Sequence, residues 1–171
     1  MADVKALTSR VDLTLAHTHT LTRDSDLSVI TDPLSVSYSD TLATGTGTDQ
    51  ADLVYHDQVV ATVAGSTTLD LSALSSDAFG DDIAFVTIKE IYIRSVSGSA
   101  LVLGAAASNP LEGANTPFTA AGSTSTVPAA GVWFVYSPTA GYTVTDNSAD
   151  QLKITYAAAA TFNIVIVGTS A

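Results

Sequence analysis

Three histidines hold most of the chemistry available to this chain. His17 and His19 lie two apart in an alternating run, and His56 sits between Asp52 and Asp57. Side chains two apart on a strand point the same way, so His17 and His19 could offer two imidazoles to one metal ion. A third ligand would have to come from a separate strand, or from copies gathered round a symmetry axis. Ordinary polar strand positions explain both residues more simply. The aspartate-rich turns at Asp77, Asp81 and Asp82 and at Asp146, Asn147, Ser148 and Asp150 bring oxygens close enough for calcium. Neither matches the twelve-residue EF-hand loop with its closing glutamate, and aspartate is a common turn and cap former.

Nucleophilic catalysis finds no support: G-x-S-x-G is absent, and Ser66 lies in a segment, 64–68, that reads as a turn. Glycoside hydrolysis needs paired carboxylates and aromatic platforms, yet the single tryptophan, Trp133, falls inside a strand pattern and reads as core. A phosphate-binding G-x-x-x-x-G-K-[ST] loop is also missing. The expectation is a non-enzyme with no catalytic residue, no cofactor-binding residue, no metal ligand and no cofactor.

The elements that would position these groups are strands. Val11, Leu13, Leu15, His17, His19 and Leu21 alternate with polar or small residues, the period of a half-buried strand. Further strand candidates are 28–30, 34–38, 53–55, 58–63 and 67–71. In the second half they are 83–96, 100–103, 123–127, 132–136, 142–144, 151–156 and 161–167. Gly, Pro, Asn, Asp and Ser separate them. No segment offers a crossover helix, which favours an antiparallel β-sandwich of jelly-roll type. The one helical candidate is a turn or two over 72–79, with Ser72 as cap and Gly80 as terminator.

Core candidates are Val86, Ile88, Ile91, Ile93, Leu101, Leu103, Trp133, Val135, Leu152, Ile154, Ile164 and Ile166. A shift of parity at Lys89 and Glu90 predicts a bulge. Two stretches of small polar residues, 41–50 and 109–126, read as long loops or arms that cannot pack a core. The first separates an N-terminal arm or strand pair, residues 1–50, from a sandwich body, residues 51–171. About 45 residues rarely sustain a core alone, so the leading part is expected to lie on the body or on a neighbour.

Composition narrows the partners. Seventeen acidic against six basic residues give a net charge of −11, with fifteen aspartates and two glutamates. Nucleic acid is therefore not an expected partner. No run approaches the roughly 18 apolar residues of a membrane span, and no apolar signal segment follows the first residues. Eleven aspartates and no lysine or arginine lie between 24 and 82, whereas 95–152 carries only Glu112, Asp146 and Asp150 as charges. An uncharged Ala/Thr/Ser/Gly surface of that kind suits contact with protein. The chain has no cysteine, so stability must come from burial and hydrogen bonding.

Several phrases give the body a family likeness: 51–57 (ADLVYHD), 77–80 (DAFG), 88–93 (IKEIYI), 107–110 (ASNP), 141–145 (GYTVT) and 164–168 (IVIVG). From Asp52 onward the chain resembles small accessory structural proteins of tailed bacteriophages. The resemblance implies a virion protein made in the host cytoplasm, with capsid decoration or cement as its role. It implies the major capsid protein or other virion subunits as partners, and a homo-oligomer, trimer or dimer. The competing expectations are a tail or fibre receptor-binding module and a carbohydrate-binding or carbohydrate-active protein.

Overall fold

The computed structural model describes residues 6–22, 29–75 and 80–171, and among these it is all-β with no helix. The strands run β1 (Ser9–Thr22), β2 (Val29–Thr44), β3 (Gln50–Ala51), β4 (Leu53–Ala61), β5 (Gly65–Asp70), β6 (Thr87–Gly98), β7 (Leu101–Gly104), β8 (Thr124–Val127), β9 (Val132–Tyr136), β10 (Tyr142–Thr143), β11 (Gln151–Tyr156) and β12 (Ala160–Thr169).

Two antiparallel sheets make the body a β-sandwich. One is ordered β5-β11-β7-β8; the other is β10-β6-β12-β4, with β9 also paired to β6. The chain changes sheet after β4, β5, β6, β8, β10 and β11, by short turns except for the longer connections that follow β5 and β10. Period-two burial explains the layers: β11 alternates half-buried and buried residues throughout, with Leu152, Ile154 and Tyr156 inward. Across the core Ile88, Ile91, Ile93, Phe162, Ile164 and Ile166 are fully covered. Each such side chain contributes about 1.5–3 kcal/mol of transfer free energy.

The expected bulge is present. On β12, Val167 opposes Glu90 and Gly168 opposes Ile88, which leaves Lys89 as an extra residue on β6. Ile88 and Lys89 are in consequence both buried, and the Lys89 ammonium donates to the carbonyl of Thr139 at 3.1 Å. Burial holds that amine below its ordinary pKa. A second shift leaves Val96 unmatched between Ser95 and Ser97.

Five expectations need correction. Val86 is 44% exposed, because Phe85 takes the inward place beside it. Residues 72–75 form a turn and a bridge from Leu74 to Ile83 instead of a helix, and Ser72 bonds to Asp70 instead of capping; 76–79 lie outside the described residues. Ser66 lies in β5, not in a turn. The stretch 109–126 does pack the core: Leu111 and Phe118 are buried in it, and the hydroxyl of buried Thr116 lies 2.9 Å from the carbonyls of Gly113 and Phe118. The stretch 41–50 is not a free loop or arm either, and its Leu42 is buried. Its first four residues end β2, and the loop closes through Ala43 N to Asp49 O (3.1 Å), Gly45 N to Ala51 O (3.1 Å) and Gly47 N to Gln50 Oε1 (2.9 Å).

Candidate functional site

Alternation over the first forty residues builds one long hairpin. β1 and β2 pair through fourteen cross-strand positions, from Ser9 with Leu42 to Thr22 with Val29. At about 3.4 Å per residue this ribbon is roughly 45 Å long. The register sorts the side chains by face. One face carries Val11 beside Asp40, Leu13 beside Tyr38, Leu15 beside Val36 and His17 beside Leu34. The other carries Asp12 beside Ser39, Thr14 beside Ser37, Ala16 beside Ser35 and Thr18 beside Pro33.

The root of the apolar face docks on the body. Leu42, 1% exposed, packs with Ala51 and Val167, and Leu7, Val54, Tyr136 and Val165 close round them. Val54, Val165, Val167 and Tyr136 belong to the outer face of the five-stranded sheet, so this cluster lies across that sheet from the main core. Polar contacts fix the same junction. The Tyr136 hydroxyl donates to Asp40 Oδ2 at 3.0 Å and the Tyr38 hydroxyl to the same oxygen at 3.1 Å, while Thr41 N donates to Oδ1 at 2.8 Å. These three donors hold the Asp40 carboxyl below its usual pKa, the backbone donor contributing most. Tyr136 is pushed upward, first by burial and then by the Asp40 carboxylate. Asp49 adds a second tie, its N–H donating to Pro138 O at 3.2 Å and its carboxylate accepting from Thr139 Oγ1 at 3.1 Å.

Beyond the root the cover ends. Val11 is still buried at 8% exposure, but Leu13, Leu15, Val36 and Leu34 stand at 47, 52, 58 and 58%. Where the hairpin lifts away it leaves a cleft of about 290 Å³ between Arg10, Val11, Asp12 and Leu13 on one side and Glu90, Tyr92, Val132 and Phe134 on the other. Ser9 Oγ lies 3.4 Å from Glu90 Oε2, and burial raises the Glu90 pKa. Arg10 pairs with Asp12 at 2.7 Å. The cleft therefore offers an aromatic wall and one half-buried carboxyl.

No family model, characterised protein or solved structure matches this chain.

The histidines stand apart. His17 and His19 are exposed on the same hairpin face, and exposed His56 lies on β4. Among the described residues no three His, Asp or Glu side chains come together as a metal group. Of the first aspartate-rich turn, Asp77 lies outside the described residues, and Asp81 and Asp82 are exposed. The second is a tight turn in which Asn147 takes a φ of 56° and donates its N–H to Asp150 Oδ2 at 2.6 Å. Asp150 is only 2% exposed. Ser72 Oγ lies 2.8 Å from Asp70, 3.1 Å from Asp146 and 3.5 Å from Asp150, so its one proton has the Asp70 carboxylate as nearest acceptor and the hydroxyl sits where two loops meet. Trp133 is half-buried, packed on the core and stacked on Phe118 at 5.8 Å.

Sequence reasoning missed the run of rings from Tyr38 through Tyr136 to Phe134, with centroids 6.1 and 6.2 Å apart. The signal was present in the Val-Trp-Phe-Val-Tyr alternation of 132–136, which places Phe134 and Tyr136 on the face opposite Trp133.

Proposed function

We propose that this protein is a non-catalytic assembly subunit that attaches to other protein subunits through its N-terminal hairpin. The observation that carries the reading is the hairpin's apolar face, buried at its root and uncovered beyond Val11. A two-stranded ribbon is marginal in water, and a contiguous exposed apolar patch of several hundred Å² commonly marks an interface. The setting implied by the likeness of the body to tailed-phage accessory proteins belongs to the same proposal: a capsid decoration or cement protein bound to the major capsid protein. In that role contact area does the work, since surface that must separate before a shell opens adds to the shell's stability.

The test is quantitative occupancy of purified particles. Hundreds of copies per particle are expected, and release should depend weakly on salt, because attachment through Leu and Val is not screened. A few copies per particle would favour the tail or fibre reading. Absence from particles would refute the virion role.

A further inference from the structure

We infer that the uncovered hairpin face is covered by the same face of a second copy of this chain, the two ribbons stacking as a small two-layer sandwich. The inference rests on the assembly reading above and names one partner for the same surface. Leu13, Leu15, Leu34, Val36 and Tyr38 form a continuous stripe, each 47 to 58% exposed. Together they leave on the order of 500 Å² accessible, at the upper end of what a solitary soluble protein shows. Stacking two such faces about 10 Å apart removes that area from both partners. The total, roughly 1,000 Å², reaches the lower bound for a specific interface, and the flanking His17 and His19 extend it.

Charge points the same way. The five residues of the stripe carry no charge, and the two aspartates of this face lie at its ends, Asp40 at the root, where Tyr38 and Tyr136 donate to it, and Asp32 beside His19. Asp12 lies on the opposite face, where Arg10 (2.7 Å) and Ser39 (2.7 Å) already engage it. An acidic hairpin face would suit a basic partner; this one suits an apolar surface of its own kind. A face that covers itself generates a two-fold contact, in which each residue meets its counterpart region on the other copy.

The absence of cysteine allows a clean test. In the full chain, Leu15→Cys should give a covalent dimer on mild oxidation, and Thr14→Cys, on the opposite face, should not. Sedimentation of the unaltered chain should give twice its 17.5 kDa mass at micromolar concentration. Leu15→Asp with Val36→Asp should return it to one mass with an unchanged circular dichroism spectrum. A monomeric unaltered chain, or equal cross-linking from both cysteine positions, overturns the inference. A monomeric chain that still fills particles, and loses them with the double variant, would remove the second copy as partner while leaving the assembly reading intact. A dimer that does not occupy particles would do the reverse.

Discussion

Leu42→Ala should loosen the hairpin without unfolding the sandwich. The side chain is 1% exposed in a cluster of its own with Ala51 and Val167, on the far side of the sheet from the main core. Truncation removes three carbons, worth about 2.4 kcal/mol of transfer free energy at 0.8 each. The cavity left behind brings the loss to about 3 kcal/mol. If the loss falls on docking alone, the opened hairpin becomes on the order of a hundredfold more populated. Native-state hydrogen exchange read by peptide should then show faster exchange across β1 and β2, with β6 and β11 unchanged. Val60→Ala, at a site on β4 that is 65% exposed and outside the hairpin, serves as the control and should change stability by less than about 0.5 kcal/mol. Equal acceleration in β6 and β11 would refute the reasoning, because arm and body would then open as one unit. No acceleration anywhere would show that Leu42 does not hold the root.

Asp40 gives the junction a pH dependence. Its folded pKa is depressed, so its contribution is complete above the ordinary aspartate value near 4 and is lost as pH falls through the lower folded value. Hairpin amides should lose protection below about pH 4, and Asp40→Asn should reduce that loss, leaving the part due to Asp12, whose pKa is lowered by Arg10 and Ser39. Gly98→Ala should cost about 2 kcal/mol or more, because Gly98 has a φ of 88° and a methyl there would strike the Ala159 carbonyl; chemical denaturation measures it. Trp133→Ala should cost about 3 kcal/mol through loss of core packing and of the Phe118 stack, seen as a lowered melting temperature. An unchanged midpoint would mean the ring is dispensable to the core.

Much of the fold is legible because the body obeys period two. Residues 132–136 and 151–156 read as strands with the bounds the structure gives them. The bulge at Lys89 showed as a break in parity. What escaped was long-range. Nothing local tells that 29–44 is one continuous strand, since Pro33 sits opposite Thr18 on the ribbon and the pairing with β1 carries the chain through it. Low complexity hid Leu111 and Phe118, whose partners are distant in sequence: Leu111 N donates to Gln151 O, and Phe118 stacks on Trp133. The arm was foreseen from the alternation around Leu13 and Leu15. Its anchor, Leu42, was not, because that residue lies in a Gly/Thr-rich stretch and meets Val167 only in the folded chain. Ser72 as hub for Asp70, Asp146 and Asp150 likewise joins segments more than seventy residues apart in sequence.

The central place of β12 orders events during synthesis. This strand lies between β6 and β4 and follows both in the chain, and it supplies Val167 to the hairpin's root. While earlier segments leave the ribosome, the hairpin can form by local pairing, but its dock does not yet exist, and β4 and β6 wait with open edges. Sandwich closure and hairpin seating thus both wait for β12 to emerge, after a long interval in which the nascent chain shows apolar strands to its surroundings. Folding should be slow for the chain's size, as it is where distant segments must meet before any contact is rewarded.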